Sequence, residues 1–475
     1  SGGYVQNRQG YSQTNVDGQQ TTVNYHSGGD NEQVGFSRDA IQEFQVVANR
    51  FDATQGRSAG MVVNAITKSG TNTFSGSAGG YFRHDSLNAK DLVADRVLPY
   101  QNQQISGTLG GPIVLDRVHF FASYEFDRTP QTFVHNARGP FAIFNRDLAL
   151  TDRGHKWLGR GDVQLSPSNR ISLRFSGQDN LFHSGGGASN APINGQKRQR
   201  LAYQVNGSLT SVIGGTSVNE LKGGFTEYER ADQTHSATWA GNDVKPYNPV
   251  LDGGTSVWRF SGYTLGTTPL NILLDTQTLR DDFTSSYEAA GRHDVKIGVD
   301  YLRFQNDFRW CLRCTGDVDL RARGFVTPDL SQIFVDSFDA STWTNLERLN
   351  SGARIVQHSI SDTDHTYTVV RHVWAGWYQD DWQVSDAFTL NLGIRYDYDT
   401  NGHNESLQFL PWLPGNQPTE KNNVAPRVGF NVRINDDTVL RGGYGLYFAF
   451  APNDGVQQTA GYNCVVGGPS CPRFE

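Results

Sequence analysis

Two pairs of cysteines stand close together in the 475-residue chain, Cys311 with Cys314 and Cys464 with Cys471. Cysteine thiolates bind zinc, but a tetrahedral zinc site needs four ligands, and the two pairs have different spacings. Close pairs also form disulfides in an oxidising compartment. Because both pairs fall on the long-loop side of the predicted strands, we favour the disulfides Cys311–Cys314 and Cys464–Cys471 over a metal site.

The run from Gly56 to Gly60 matches G-x-S-x-G, the pattern of a hydrolase nucleophile elbow. An elbow serine needs a strand before it, a helix after it, and Asp and His partners further along the chain. Here a strand-like apolar run from Met61 to Ile66 follows the motif. We interpret the motif as a turn, and because the sequence offers no other catalytic constellation, we expect no enzymatic activity.

Four aspartates in long connections are spaced as carboxylate pairs, Asp317 with Asp319 and Asp362 with Asp364. Oxygen ligands of this kind bind Ca²⁺, but no EF-hand pattern surrounds these residues. Solvated loop charge is therefore the favoured interpretation, and we predict no metal site and no cofactor.

Large aromatic side chains are frequent in the predicted loops, where they could stack on a bound ligand. Long loops also need small apolar cores of their own, and the sequence does not decide between these two roles. The candidate ligand-binding residues are Trp239, Tyr247, Trp258, Tyr263, Phe308, Trp310, Trp343 and Trp412.

The best-defined structural element is a hairpin between Val373 and Tyr398. In its second half, from Phe388 onward, apolar residues alternate with polar residues or glycine, which is the period of a strand with one apolar face. Residues 373–384 alternate in the same way except at Asp380, and residues 385–387 are enough for a tight turn. Strands of about ten residues with aromatic ends suit a bilayer-spanning sheet.

Alternation recurs from Phe74 onward and predicts thirteen strands. Short and long connections take turns along the series, and each even-numbered strand is followed by a short one. A transmembrane barrel has short turns at one end and long loops at the other, whereas a soluble sandwich has no reason to keep this order. The predicted strands are residues 74–82, 103–113, 118–127, 156–165, 170–178, 199–210, 217–228, 277–288, 294–305, 372–384, 387–398, 424–432 and 438–448.

The composition is compatible with such a barrel, and it argues against a helical membrane protein and against a nucleic-acid-binding protein. The mean hydropathy is −0.52, and no run of about 18 apolar residues is present, so no transmembrane helix is predicted. A transmembrane barrel gives only alternate residues to lipid, so its mean hydropathy resembles that of a soluble protein. The net charge of −7 without a long basic run argues against nucleic-acid binding.

Residues 1–72 do not alternate over a membrane-spanning length. We predict a small α+β segment, which contains the run Val16-Asp17-Gly18. A short helical turn near residues 39–42 should lead into a strand through Phe44 and Val46, and the polar residues 67–72 should form a hinge.

Several of these segments resemble TonB-dependent outer-membrane transporters, and within them the Oar-like branch, whose members often carry a carboxypeptidase-regulatory-like domain. The resemblance covers nearly the whole chain, and the order and spacing of the motifs carry it. The matching segments are residues 39–44, 57–60, 62–64 and 67–72, which resemble the end of a plug domain, and residues 378–382, 390–396, 425–430 and 440–445, which resemble barrel motifs.

The resemblance implies a plugged 22-stranded barrel in the bacterial outer membrane that imports a scarce ligand with energy from the TonB complex. Residues 1–72 would be the C-terminal part of the plug, and residues 73–475 the N-terminal part of the barrel. The implied partners are the TonB complex, reached through a region before Ser1, outer-membrane lipid, and a small ligand, glycan or peptide. The long loops, with both cysteine pairs, would be extracellular.

Two further alternatives remain open. The chain could instead be an outer-membrane adhesin or a structural barrel without active transport. The basic run at residues 197–200 could bind phosphates of lipopolysaccharide, or it could be an ordinary polar strand end.

The alternation also predicts which side chains face lipid. We expect Leu201, Tyr203, Val205, Leu390, Leu392 and Ile394 to face outward, and Gln204, Asn206, Asn391 and Arg395 to face inward. Thirteen strands would leave two unpaired edges, and each unsatisfied backbone group costs several kcal/mol in hydrocarbon. We therefore expect about nine further strands after Glu475 and the first half of the plug before Ser1.

Overall fold

Strands dominate the structure, which is a computed structural model. Its helical turns are short 3-10 turns, among them Arg38–Ala40, Asp85–Leu87, Gly139–Phe144 and Leu330–Gln332. No helix in the described part of the chain is long and apolar enough to cross a membrane. The described residues are 13–21, 35–47, 52–56, 61–92, 95–98, 100–185, 187–191, 194–234, 257–260, 263–265, 270–310, 317–319, 329–333, 335, 357–359, 366–401, 405, 408–409, 413–414 and 418–448.

A small sheet of four strands is formed by β1 (Gln13–Val16), β2 (Gln19–Gln20), β3 (Ile41–Val47) and β4 (Val62–Thr67). Its order is β2-β1-β4-β3, and only β1 and β4 run parallel. Asp17 and Gly18 join β1 to β2 with φ angles of 51° and 79°, the left-handed conformation that a two-residue hairpin turn requires. The turn Arg38–Ala40 leads into β3, close to the predicted helical turn.

The second sheet has thirteen antiparallel strands, which confirms the predicted number. Strands that are neighbours in the sheet follow one another in the series, and in the described part of the chain the sheet is open, with its first and last strands at the edges. We call this sheet the barrel wall. Its strands are β5 (Ser75–His84), β6 (Gln101–Val114), β7 (Val118–Val134), β8 (Asp147–Ser166), β9 (Asn169–Ser184), β10 (Gln196–Ile213), β11 (Ser217–Thr234), β14 (Leu270–Glu288), β15 (Arg292–Trp310), β18 (Thr366–Ser385), β19 (Phe388–Thr400), β22 (Val424–Asn435) and β23 (Thr438–Gly445).

Most wall strands are longer than predicted, and most of the extra length lies at the long-loop end. The second long loop was predicted to span residues 128–155, but β7 continues to Val134 and β8 starts at Asp147. Most short-turn ends, such as Ser166 and Asn169, lie within two residues of their predicted positions, and the exceptions are Ile213 on β10 and Asn435 on β22, each three residues further on. Beyond the membrane both faces of a sheet meet water, so the ladder continues while the apolar alternation stops.

The predicted alternation of faces is present in the wall. Val205 and Ile394 are each 48% exposed on the outer face, while Gln204 and Arg395 beside them are almost fully buried on the inner face. Asp380, the exception in the pattern, lies on the outer face with a carboxylate oxygen 2.8 Å from Nδ1 of a histidine on β15. The wall therefore presents an apolar outer surface and a polar inner surface.

Aromatic side chains form two belts on the outer face. Near the long-loop end, Trp374 packs against Tyr301 with ring centroids 4.2 Å apart. Near the short-turn end, His293 is stacked between Tyr287 and Trp382, at 5.1 and 5.2 Å. Trp374 and Trp382 are eight residues apart on β18, or roughly 26 Å along the strand. This separation is close to the apolar band of outer-membrane barrels, about 25 Å tall.

Parts of the long loops fold together over the long-loop end. The short strands β12 (Val257–Phe260), β13 (Tyr263–Leu265), β16 (Asp317–Asp319) and β17 (Gln357–Ser359) form one sheet in the order β13-β12-β16-β17, and β20 (Gln408–Phe409) pairs with β21 (Leu413–Pro414). We call the four-stranded sheet, together with residues 135–146, 187–191 and 329–333, the loop cap. Its buried apolar side chains include Phe144, Phe260, Leu330 and Ile333.

His135 fastens two of these loops together. Its Nδ1 donates to the carbonyl oxygen of Asn190 at 3.1 Å, and its backbone pairs with Gly187. Burial lowers the pKa of His135 below its ordinary value. The loop cap thus has a core and cross-links of its own.

Candidate functional site

The small sheet lies against the inner face of the barrel wall, and this interface is the candidate functional site. Two tight turns within residues 13–72 make most of the polar contacts between the small sheet and the wall in the described part of the chain. One is the turn at Asp17 between β1 and β2, and the other is the turn formed by residues 52–55. We call the first the carboxylate clamp and the second the carbonyl clamp, after the groups that the wall binds.

In the carboxylate clamp, Asp17 is held by two wall arginines and by its own sheet. Arg174 on β9 donates to Oδ2 of Asp17, and Arg160 on β8 lies 3.5 Å from Oδ1. Thr67, at the end of β4, donates its backbone N–H and its hydroxyl to the same carboxylate at 2.9 and 2.8 Å. Arg160 also donates to the carbonyl oxygen of Thr67 at 3.0 Å. The carboxylate therefore joins the neighbouring ends of β1 and β4 to the wall.

Arg174 depends on this contact, because it is 4% exposed. Its second amino group donates to the side-chain oxygen of Gln204 at 2.6 Å, which is a neutral partner. Arg160, in contrast, has a carboxylate of the wall beside it, since its Nε lies 3.0 Å from Asp162. A buried guanidinium is costly without a countercharge, and Asp17 is the carboxylate that Arg174 contacts.

In the carbonyl clamp, the wall binds mainly the backbone of residues 52–55. Arg427 donates to the carbonyl oxygens of Asp52 and Gln55, the latter at 2.6 Å, and Arg280 donates to that of Thr54 at 3.3 Å. The carbonyl oxygen of Ala53 accepts from Arg395 at 3.4 Å, and its N–H donates to Gln379 at 3.0 Å. Lys296 lies 3.1 Å from the Asp52 carboxylate. Five wall strands thus converge on one turn.

Most cations of the carbonyl clamp also have a carboxylate of the wall as a partner. Arg280 pairs with Asp282 at 2.6 Å, and Arg395 pairs with Asp397 at 2.9 Å. Lys296 is shared between Asp52 and Asp381, which lies 2.9 Å away. The indole of Trp377 lies between Arg280 and Arg395, with guanidinium carbons 4.5 and 5.2 Å from the ring centroid. These pairs lie within the wall, so they do not require the turn.

Glycines make room for both turns. A Cβ at Gly393 would lie 3.0 Å from Cβ of Ala53, and a Cβ at Gly56 would overlap the guanidinium of Arg395. On β11, a Cβ at Gly224 would overlap the side chain of Gln19, which follows the Asp17 turn. The close approach of the small sheet to the wall depends on these missing side chains.

The segment before β3 makes a third contact with the wall. The backbone N–H of Gly35 donates to Gln178 at 2.7 Å, and Ser106 donates to the Asp39 carboxylate at 2.6 Å. The ring of Phe36 lies 5.2 Å from the guanidinium carbon of Arg174 and packs against buried apolar side chains of the wall. Above Phe36, a cavity of about 390 Å³ separates the small sheet from strands β8, β9 and β10.

Four of the predicted ligand-binding aromatic residues lie on described strands. Phe308 and Trp310 were predicted to lie in a loop, but they lie on β15, because the wall sheet extends beyond the lipid-facing alternation. Trp258 is on β12 and Tyr263 on β13, in the loop cap. The residues Trp239, Tyr247, Trp343, Trp412, Cys311, Cys314, Cys464 and Cys471 lie outside the described residues, as do residues 57–60 of the G-x-S-x-G motif, Asp362 and Asp364.

Sequence reasoning placed Arg395 on the inner face, but it missed the other inward-facing arginines of the clamps, which are Arg160, Arg174, Arg280 and Arg427. A signal for part of this set is present, because Arg-x-Asp occurs on five wall strands, and residues two apart on a strand share a face. The pairs are Arg160 with Asp162, Arg230 with Asp232, Arg280 with Asp282, Arg292 with Asp294 and Arg395 with Asp397, with N–O distances of 2.6–3.2 Å. The repeated motif indicates a wall with a charged, self-paired inner face.

An antiparallel wall that is apolar and belted outside, polar inside and bonded to a second small sheet defines an outer-membrane type of β-barrel protein. The chain belongs to the outer membrane beta barrel domain family, whose sequence profile matches residues 66–140 and 130–467. It is accordingly a protein of the bacterial outer membrane, with the antiparallel barrel fold that the sequence predicted.

Known relatives are transporters and receptors. The TonB-dependent transporter Oar of Myxococcus xanthus is 28% identical over 197 residues, which are 39% of this chain and 17% of that protein. The outer membrane transporter YddB from Escherichia coli shares the fold with a TM-score of 0.58 and 12% identity, over 93% of this chain and 54% of YddB. The alcaligin outer membrane receptor FauA from Bordetella pertussis shares the fold with a TM-score of 0.56 and 11% identity, over 92% of this chain and 54% of FauA. This chain spans about half the length of both solved structures.

Proposed function

We propose that this chain takes part in TonB-dependent uptake of a scarce ligand through a plugged outer-membrane barrel. The observation that carries the proposal is the bonding of residues 13–67 to the inner face of the wall through two clamps. A sheet held in this position obstructs passage along the wall, so transport requires it to move. The relatives named above support the same function, since they are transporters and receptors of the outer membrane.

In this proposal residues 1–72 are the C-terminal part of the plug, and residues 73–475 the N-terminal part of a 22-stranded barrel. The long-loop end faces outward from the cell and the short-turn end faces the periplasm. Ligand enters below the loop cap and contacts the small sheet, and the predicted aromatic residues of the loops, Trp258 and Tyr263 among them, contribute to its capture. The cysteine pairs form extracellular disulfides.

The ligand path opens when both clamps release. The TonB complex is the proposed source of energy, by similarity to the Oar transporter. The chain's own residues allow the carbonyl clamp to release the turn. The clamp binds the turn through backbone atoms of the turn, and most cations of the clamp keep carboxylates of the wall as partners. No covalent step is needed, and the proposed role of every named residue is to bind or to position.

Analysis of spent growth medium tests the proposed uptake and does not require the ligand to be known. Cells that carry the gene, cells that lack it, and cells that carry it without TonB would be grown in the same complex medium. Mass spectrometry of the medium should show a compound that is depleted only when both the gene and TonB are present. Depletion that does not require TonB, or loss of surface adhesion as the only change on gene deletion, would contradict the proposal and favour the adhesin alternative.

A further inference from the structure

Two arginines on neighbouring strands of the barrel wall have no partner for their charge. Arg128 on β7 and Arg153 on β8 are direct partners in the antiparallel ladder. Within the described residues, neither guanidinium makes a hydrogen bond or an ion pair, and Asp179, which lies diagonally from Arg153, accepts from Gln199 at 3.2 Å. The arginines of the Arg-x-Asp motifs, in contrast, each have a carboxylate two residues away. Like charges directly opposite one another destabilise a sheet, so an anion between these two arginines would be stabilising.

Both arginines point away from the small sheet. Lys156 on β8 lines the cavity between the small sheet and the wall, and it pairs with Glu125 on β7 at 2.7 Å, so these two side chains lie on the inner face. Arg128 is three residues from Glu125, and Arg153 is three residues from Lys156. Because successive side chains of a strand point to opposite faces, both arginines lie on the outer face.

The arginine pair lies just beyond the lipid-facing band. Two residues nearer the short-turn end, Phe126 and His155 pack with ring centroids 4.9 Å apart, and the hydroxyl of Tyr124 lies 2.7 Å from Nδ1 of His155. Phe126 is eight residues from Val118, the short-turn end of β7, or roughly 26 Å along the strand. This length matches the apolar band of outer-membrane barrels, so the arginines lie at the level of the lipid headgroups.

Below these rings, the outer face of the neighbouring strands is apolar. Ile105 and Leu109 on β6, with Leu173 and Phe175 on β9, are between 47% and 58% exposed. Hydrocarbon chains can cover such side chains, whereas the arginines above them need a charged group. The surface therefore fits a molecule with an anionic head and apolar chains.

The headgroup level is not basic around the whole wall. Glu227 on β11 and Asp275 on β14 are direct partners, and Glu227 is also the partner of Tyr203, an outward-facing residue of β10. Carboxylates on this part of the outer face repel an anionic headgroup. The charge pattern of the outer face therefore directs an anionic lipid to β7 and β8.

The basic run at residues 197–200 does not form a comparable patch. Its residues alternate between the two faces of β10, so Arg198 and Arg200 lie on the inner face. Arg198 also lies 3.5 Å from a carboxylate oxygen of β11. Of the three cations in the run, Lys197 alone shares the outer face with the lipid-facing residues.

We propose that Arg128 and Arg153 bind the phosphate group of an anionic lipid in the outer leaflet. The phosphate lies between the two guanidinium groups, whose paired N–H groups match its oxygens. The acyl chains run down the apolar face below the ring of Phe126. The inference goes beyond the proposed uptake, because this surface faces lipid and not the small sheet.

Lipid A and its dephosphorylated form test the site on the unchanged full chain in lipid-free zwitterionic detergent. The two probes share their acyl chains and differ in their phosphate groups. Native mass spectrometry would measure how much of each lipid is bound. Lipid A should bind at least about tenfold more tightly, since one charge-assisted contact typically contributes a factor of this size. Equal binding of the two probes would overturn the inference.

Inorganic phosphate separates a lipid site from a simple anion site. Added at the same concentration as lipid A, it should leave the bound lipid in place, because it has no chains to cover the apolar face. Displacement of lipid A by inorganic phosphate would overturn the assignment to a lipid.

Substitutions locate the binding. The double variant Arg128→Gln with Arg153→Gln should lose the preference for lipid A over its dephosphorylated form. The matched control is Arg117→Gln, which removes the same charge from the turn between β6 and β7, at the short-turn end. Lys197→Gln tests the basic run. Loss of the preference in Lys197→Gln or in the control, with the preference kept in the double variant, would refute the site.

Thermal unfolding distinguishes a lipid site from a structural role of the two arginines. Since neither guanidinium has a partner in the described part of the chain, the double variant should melt in lipid-free detergent at the same temperature as the unchanged protein, or higher. Lipid A should then raise the melting temperature of the unchanged protein more than that of the double variant. A lower melting temperature of the double variant without lipid would contradict the inference.

Discussion

The two clamps hold the same small sheet but use opposite chemistry. In the carboxylate clamp the small sheet supplies the charge, and Asp17 is the carboxylate that contacts the buried Arg174. In the carbonyl clamp the wall supplies the charges, and the turn at residues 52–55 offers mainly backbone oxygens. Arg280, Lys296 and Arg395 there keep carboxylates of the wall when the turn leaves, whereas the contacts of Arg427 within the described residues include two carbonyl oxygens of the turn and the ring of Tyr447.

This difference indicates where withdrawal of the small sheet is costly. An arginine left in the wall without its carboxylate loses a charge pair. A backbone carbonyl that leaves an already paired arginine loses only one hydrogen bond. The carboxylate clamp should therefore dominate the stability of docking, while the carbonyl clamp should position the turn and release it readily.

Asp17→Asn should have the largest effect, because it leaves Arg174 buried without a countercharge. Breaking a buried pair in this way typically costs about 3–5 kcal/mol. Hydrogen exchange of the peptides that cover residues 13–21 and 61–67 would measure the loss, since the N–H of Thr67 donates to Asp17. If the exchange protection of these peptides equals that of the unchanged protein, the carboxylate clamp does not dominate the stability of docking.

Arg174→Met in the Asp17→Asn background should recover most of that loss. Removing both members of a buried pair is often neutral, whereas removing one is not. A double-mutant cycle on the same exchange data would give the coupling between the two side chains. Additive effects of the two substitutions would show that Asp17 acts through another partner.

Gly56→Ala should weaken the carbonyl clamp by about 1–3 kcal/mol, the usual cost of overpacking. The new Cβ would overlap the guanidinium of Arg395 and push it from the carbonyl of Ala53. The matched control is Gly161→Ala on β8, where an added Cβ meets nothing within 4 Å. Thermal release of the small sheet, followed by limited proteolysis, should separate the two variants.

Asp52→Asn should have the smallest effect, about 1 kcal/mol or less. The Asp52 side chain is 40% exposed, and Lys296 retains Asp381. Because Asp52 and Asp17 both face wall cations, the pair of Asn variants compares the clamps directly. Equal exchange protection in the two variants would contradict the distinction between them.

The wall was predictable because its pattern has a period of two along each strand. Gln204 and Val205 lie at adjacent positions of β10, so they point to opposite faces, and their burial differs accordingly. Most strand ends at the short turns lie within two residues of the predicted ones. The long-loop ends were not predictable, because β7 and β8 continue beyond the lipid band with polar residues on both faces.

The clamps were only partly predictable. Val16-Asp17-Gly18 could be recognised as a turn, but no local pattern shows that Asp17 meets Arg174, which is 157 residues away. The carbonyl clamp is even harder to recognise from the sequence, because the wall binds backbone oxygens of residues 52–55, which any sequence would carry. The Arg-x-Asp repeats mark the wall side of this site, and they identify charged positions without naming the segment that docks there.

A disulfide between residues 53 and 393 tests most directly whether the small sheet must leave the wall for transport. The Cβ positions are 3.0 Å apart, somewhat closer than the roughly 3.5–4.5 Å of a disulfide, and a Cβ at 393 would also displace the amide end of Gln379. Small shifts of the turn and of this side chain allow Ala53→Cys with Gly393→Cys to form a tether, with the two single variants as controls. Uptake of the compound identified from spent medium should be lost in the oxidised double variant and regained on reduction. Full uptake with the tether quantitatively closed would contradict the account.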